Sequence, residues 1–242
     1  MQLLREPKDR IIFPLDFPDY NSAKKYIEIL RGHIGLFKVG LELFVKEGPE
    51  ILKLISKAGK AKIFLDLKFH DIPETVRGAM KSANALSAEF ITVHCDEGRK
   101  LLEAAVETAS GKTKVLAVTV LTSLSREGLK EMGMREEFQD PLKLVLHRAG
   151  IAKSAGCAGV VCSGLEASFV RKEFGNDFII VTPGIRPSWS VIKNDDQQRI
   201  VTPSDAIKAG ADYIVVGRPI RTAKDPVDAV KRIAEEIEKA LK

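Results

Sequence analysis

Two rhythms of apolar residues alternate along the chain. Short runs rich in β-branched and aromatic residues fall at Ile11–Asp16, Leu36–Gly40, Lys62–Lys68, Phe90–His94, Lys114–Leu121, Gly159–Cys162, Phe178–Thr182 and Tyr213–Val216. Between them, apolar residues return every third or fourth position, the period of an amphipathic helix. These stretches are Ser22–Leu30, Pro49–Lys57, Pro73–Leu86, Gly98–Ala109, Pro141–Ala155, Leu165–Phe174, Pro203–Ala209 and Pro226–Leu241. The short runs are nearly continuous in apolar character, as in Tyr213-Ile214-Val215-Val216, which fits parallel strands covered on both faces.

Local signals mark the boundaries. Asn21 or Ser22 is the expected cap of the first helix. Gly59, Gly156, Gly175 and Gly210 stand where helices should end before the next strand. Eight strand–helix units of roughly 30 residues each predict an α/β fold, a (β/α)8 barrel. An open doubly wound sheet is the rival, but its glycine-rich turn after the first strand is replaced here by Asp16-Phe17-Pro18-Asp19. No linker or break in composition divides the chain, so residues 1–242 are read as a single domain.

Composition narrows the function without naming it. The 242 residues are 45% hydrophobic and 29% charged, with a net charge of +5, which is globular rather than disordered. The basic residues are interleaved with acids and form no basic run with aromatics, so no nucleic acid partner is implied. The three cysteines, Cys95, Cys157 and Cys162, form no Cys-x-x-Cys pair. That argues against a disulfide framework or structural zinc and for a reducing cytoplasm. Met1 to Arg10 is charged, unlike a secretory signal, and no apolar run approaches membrane-spanning length.

In such a barrel, chemistry belongs at the C-terminal ends of the strands. Polar residues gather there: Asp16, Lys38, Asp66 with Lys68 and Asp71, His94 and Asp96, Thr119 with Thr122 and Ser123, Ser163, Thr182 to Arg186, and Gly217 with Arg218. The densest stretch is Asp66-Leu67-Lys68-Phe69-His70-Asp71-Ile72-Pro73-Glu74-Thr75. Asp66 and Lys68 are two apart, so an extended backbone points them the same way. Asp71 falls in the following loop, and Pro73 suits the first turn of a helix. Such a cluster is either an ion-pair network or a reactive centre.

The ends of the seventh and eighth strands look like an anion site. The Gly217 and Arg218 amides can approach a phosphate, Arg218 adds a forked donor, and Arg186 stands on the adjacent loop. The polar stretch from Pro187 to Thr202 reads as a lid or as a surface loop. His94 and His70 lie on different strands without ligand spacing, so no metal site is expected. His70 reads as a structural donor or acceptor, Trp189 and Tyr20 as packing or lid residues, and Cys95 and Cys162 as small buried hydrophobes.

With these motifs in hand, the chain resembles the orotidine 5′-phosphate decarboxylase family along nearly its whole length. The resemblance rests on Leu15-Asp16, Phe37-Lys38-Val39-Gly40, Asp66 to Pro73 with Thr75, and Val120-Leu121-Thr122-Ser123. It continues through Thr182 to Pro187, Asp196-Gln197 and Val216-Gly217-Arg218-Pro219-Ile220. It implies a homodimeric barrel, a carbon–carbon lyase of de novo pyrimidine biosynthesis that converts orotidine 5′-monophosphate to UMP without metal or organic cofactor.

By the same resemblance, Lys68 is the proton donor in a Lys38-Asp66-Lys68-Asp71 network, with Asp71 contributed across the dimer interface. Asp16 and Lys38 hold ribose hydroxyls, as does Thr75 next to the partner's site. Thr122 reads the pyrimidine amide edge and Pro183 packs on the base. Arg186, Gln197, Gly217 and Arg218 grip the phosphate. Flanking carboxylates should keep Lys68 protonated. Two departures from the family pattern are Phe13-Pro14 ahead of Leu15-Asp16 and the variable lid, which leaves Gln197 and Gln198 as rival phosphate ligands. Related barrels acting on keto-sugar phosphates share an Asp-x-Lys-x-x-Asp pattern but use magnesium, and a UMP-sensing barrel without turnover is a further alternative.

Overall fold

Eight parallel strands close into a barrel in the computed structural model, which describes residues 6–190 and 199–242. The chain runs β1 (Ile11–Pro14), α1 (Tyr20–Leu30), β2 (Leu36–Val39), α2 (Leu41–Glu47), α3 (Glu50–Ala58), β3 (Lys62–Phe69), α4 (Pro73–Asn84), β4 (Phe90–His94) and α5 (Arg99–Thr108). It continues through β5 (Lys114–Val118), α6 (Arg126–Glu131), α7 (Pro141–Ser154), β6 (Gly159–Val161), α8 (Gly164–Phe174), β7 (Ile179–Thr182), α9 (Pro203–Lys208), β8 (Tyr213–Val215), α10 (Arg218–Arg221) and α11 (Pro226–Leu241). β1 closes the barrel on β8 through Ile11↔Ile214 and Ile12↔Val215.

Strand alternation divides the core in two. Ile12, Leu36, Phe64, Phe90, Leu116, Val181 and Tyr213 pack together inside the barrel. Their neighbours Ile11, Phe37, Ile63, Leu65 and Ile91 join the larger core beneath the helices. This two-sided burial explains why the strands read as continuous apolar runs. Helices bury one stripe each. In α11 the stripe is Val230, Ile233 and Ile237, each contributing roughly 1.5–3 kcal/mol.

The predicted order of elements holds, with local corrections. Asp19, not Asn21 or Ser22, caps α1: its Oδ1 accepts the Ser22 N–H at 2.8 Å. Helix α2 was not expected, because it has no core-facing period; it buries Leu43 and leaves Leu41 and Val45 exposed. Helix α6 buries only Leu129, so its sequence carries no helical period and reads as loop. Strands β1 and β5 stop at Pro14 and Val118, short of Asp16 and Leu121.

β3 departs most from a plain strand. Its pairing with β4 jumps from Leu65↔Ile91 to Phe69↔Val93, so three residues of β3 face one of β4. Within that bulge Lys68 takes φ +50°, a backbone conformation that costs a non-glycine residue of order 1–3 kcal/mol. Asp66 and Lys68 do end up together, but the strand reaches that result through a bulge rather than simple alternation.

Candidate active site

Three charged side chains meet at the C-terminal mouth of the barrel. Lys38 comes from β2, while Asp66 and Lys68 come from β3. Asp66 Oδ2 lies 3.0 Å from Lys68 Nζ and 3.3 Å from Lys38 Nζ. Lys38 Nζ also reaches Asp16 Oδ1 at 3.2 Å, just past the end of β1. Gly40 permits this approach: a Cβ there would sit 3.0 Å from Lys38 Nζ and 3.6 Å from Asp16 Oδ1.

Burial sharpens the electrostatics. Desolvation alone would push the Asp66 carboxyl up, but the Lys38 and Lys68 charges, with hydrogen bonds from Lys68 and Thr92, hold it below the ordinary range. For Lys38, burial works against the cation, and the Asp66 and Asp16 carboxylates outweigh it, holding the ammonium above its ordinary value. The ion pair is thus satisfied on both sides, as buried charges require.

These groups edge a cavity of about 640 Å³. Asp16, Lys38, Asp66, Lys68, Thr122, Pro183, Arg186, Gly217 and Arg218 all line it, together with Ser123. Its apolar lining includes Val120, Val161, Cys162 and Val215. One side is therefore a lysine–carboxylate network from β2 and β3, and the other carries guanidinium groups from the segments after β7 and β8. That combination suits a flat polar ring carrying a remote anion. At Gly217 a Cβ would stand 2.9 Å from Pro14 Cγ, so only glycine lets the chain turn close to β1.

Other expected residues lie elsewhere. Asp71 and Thr75 are exposed and do not line this cavity. Asp71 Oδ1 instead accepts the Ile72 N–H at 2.6 Å, ahead of Pro73 in the first turn of α4. Gln197 and Gln198 lie outside the described residues. His94 Nδ1 pairs with Asp96 at 2.7 Å, and Asp96 also pairs with Arg148. His70 Nε2 meets Glu97 at 3.2 Å. Thr119 Oγ1 donates to the Val161 carbonyl, and Ser163 caps α8, so both are structural. Trp189 donates to Glu236 at 2.8 Å beneath Arg232, whose guanidinium lies 4.1 Å from the ring centre.

Three relevant residues escaped the sequence reading. Arg221 lines the cavity and donates to the Asp16 carbonyl at 2.8 Å; its signal was a second arginine three positions after Arg218. Thr92 touches both Asp66 and Lys68 from β4, and no motif marks a threonine in a strand interior. Arg199 pairs with buried Glu166 of α8 and donates to the Leu121 carbonyl at 2.9 Å, next to Thr122.

A second cavity of about 780 Å³ opens at the opposite mouth. Two of its lysines, Lys62 and Lys114, are drawn to Glu89 at 3.1 and 3.2 Å. Both share that one carboxylate, and the C-terminal ends of the strands, where barrel chemistry gathers, point the other way.

Comparison with known proteins follows the same outline. The model of the Orotidine 5′-phosphate decarboxylase / HUMPS family matches residues 9–233. An orotidine 5′-phosphate decarboxylase of Desulfosudis oleivorans is 49% identical over 240 residues, spanning 98% of this chain and 96% of that protein. One of Syntrophotalea carbinolica is 43% identical over 247 residues, spanning 99% of each. The crystal structure of orotidine 5′-phosphate decarboxylase from Lactobacillus acidophilus matches with a TM-score of 0.81 at 37% identity, covering 94% of this chain and 98% of that one. The chain belongs to the orotidine 5′-phosphate decarboxylase / HUMPS family.

Proposed function

We propose that this family member is a carbon–carbon lyase that decarboxylates orotidine 5′-monophosphate to UMP in pyrimidine biosynthesis. The observation that carries the reading is the Lys38–Asp66–Lys68 network at the edge of a cavity whose other side bears Arg186 and Arg218. Relatives named for this activity at 49% and 43% identity support it.

The chemistry follows from the charges. The bond between the ring carbon and the carboxylate breaks, CO2 leaves, and the electron pair stays on a carbon with no adjacent carbonyl to delocalise it. The Lys68 ammonium beside that carbon stabilises the developing charge and then transfers its proton to it. Neutral Lys68 regains a proton from solvent, which balances the cycle. Asp66 holds the Lys68 ammonium and stands near the substrate carboxylate, opposing the ground state more than the transition state. Asp16 and Lys38 hold the ribose, Thr122 the amide edge, and Pro183 the face of the base. Arg186, Gly217 and Arg218, with Gln197, hold the phosphate. No metal or organic cofactor enters this scheme.

The active form in this reading is a homodimer, with Asp71 and Thr75 reaching the partner's cavity. Their exposure and absence from their own cavity support it. So does the exposed apolar surface of Leu41, Val45 and Ile72 on segments after neighbouring strands. The buried free cysteines suit a cytoplasmic location. The test is ultraviolet detection of orotidine 5′-monophosphate consumption in EDTA. Full turnover is expected. Loss of orotidine 5′-monophosphate turnover, with magnesium-dependent activity on a keto-sugar phosphate, would overturn the reading in favour of the other branch of the family.

A further inference from the structure

Thr92 lies on β4 two residues beyond Phe90, is completely buried, and does not line the substrate cavity. Its hydroxyl nevertheless joins the two charged residues of β3. The Lys68 N–H donates to Thr92 Oγ1 at 2.9 Å, and Thr92 Oγ1 donates to Asp66 Oδ1 at 3.0 Å. The directions are forced. A backbone amide can only donate, so the hydroxyl accepts from Lys68, and its single proton goes to the carboxylate.

Two consequences meet at this atom. With Oδ1 held by Thr92, Asp66 presents Oδ2 to both ammonium groups, at 3.0 Å from Lys68 and 3.3 Å from Lys38. The amide that Thr92 accepts belongs to the residue at φ +50°, inside the bulge where three residues of β3 face this one of β4. The regular ladder is interrupted there, and a side-chain hydroxyl takes the place of a carbonyl acceptor. One threonine therefore restrains the carboxylate orientation and the strained backbone from which the Lys68 side chain departs.

We propose that Thr92 is a positioning residue for the decarboxylation: through these two hydrogen bonds it aims the Lys68 ammonium at the reacting carbon. The inference rests on the decarboxylase reading for its kinetic form, but its structural form does not. Valine matches threonine in shape and removes both bonds, whereas serine keeps the hydroxyl. Thr92→Val is expected to lower kcat about 100-fold, since small displacements of a reacting group cost rates of that order. KM and UMP affinity should stay within about threefold, because Thr92 does not line the cavity, and Thr92→Ser should keep kcat within about threefold of wild type.

Crystal structures of the wild type and Thr92→Val supply a readout independent of substrate. The variant should lose the positive φ at Lys68 or lengthen the Lys68–Asp66 contact. Wild-type kcat in folded Thr92→Val, or unchanged Lys68 geometry, overturns the proposal. If the valine variant does not fold, Thr92→Cys takes its place, with an intermediate kcat expected and a wild-type kcat overturning the proposal. A wild-type enzyme inactive on orotidine 5′-monophosphate strikes the functional reading, while the paired crystal structures still decide the role of Thr92.

Discussion

Lys38 and Lys68 hold their ammonium groups against one oxygen atom, Asp66 Oδ2, at 3.3 and 3.0 Å. They arrive from different strands, and the carboxylate between them is largely buried. Asp16 pairs with Lys38 as well, at 3.2 Å, so the four groups balance in charge, and Asp66 fixes the Lys68 ammonium at the cavity edge, where a developing carbanion would be most stabilised.

Replacing Lys68 should therefore remove the chemistry without removing the fold. Lys68→Ala leaves Asp66 paired with Lys38 and Thr92, so the circular dichroism spectrum and cooperative melting should persist. UMP formation should fall by more than about 10⁴-fold, the combined scale of proton transfer and electrostatic stabilisation. Turnover near that of the wild type would remove Lys68 from the mechanism.

A shared site predicts complementation. Asp71→Ala and Lys68→Ala homodimers should each be inactive, yet a mixture that has exchanged subunits should recover activity in heterodimers carrying one intact site. Mass spectrometry of the mixture establishes exchange. Confirmed exchange without recovered activity would assign Asp71 to its own subunit or to structure alone.

The network also makes stability depend on pH. Lys38 and Lys68 hold the Asp66 carboxyl below its ordinary value of 3.8 despite burial. A depressed folded-state pKa contributes stability that is present above the unfolded-state value and lost as pH falls through the lower folded one. The melting-temperature gap between wild type and Asp66→Asn should be widest near neutrality and should narrow below about pH 4, close to the unfolded aspartate value. A gap that stays constant from neutral pH to pH 3 would contradict this coupling.

The Arg199–Glu166 pair offers a separate test, away from the reacting groups. Both side chains are largely buried, and desolvation pushes the Glu166 carboxyl above its ordinary value against the pull of Arg199. Arg199→Ala should cost about 3–5 kcal/mol in denaturant unfolding, because it strands a buried carboxylate. The double replacement Arg199→Met with Glu166→Leu should recover most of that loss. A cost below about 1 kcal/mol for the single variant would place the pair among ordinary surface contacts.

Much of this protein was legible in its sequence because barrel strands and helices announce themselves locally. Continuous apolar runs, helix-period stripes and the closing glycines carry the alternation of elements, and β4 and α11 begin and end where the pattern predicts. The charged motif Asp66-x-Lys68 and the Gly217-Arg218 turn mark the two sides of the cavity through residue type and position at strand ends. Elements that bury little, such as α2 and α6, were not legible, since without a buried stripe they have no period to read.

Tertiary structure alone decided how those residues are held. That Lys68 occupies a strained backbone position inside a bulge depends on the pairing of β3 with β4, which no local pattern encodes. That Thr92 supports it, that Arg221 reaches Asp16, and that Arg199 braces the segment before Thr122 all follow from contacts between residues distant in sequence. Periodicity reports which face of an element is buried. Hydrogen bonds between side chains and backbone depend on distances of a few tenths of an ångström, and these exist only once the barrel has closed.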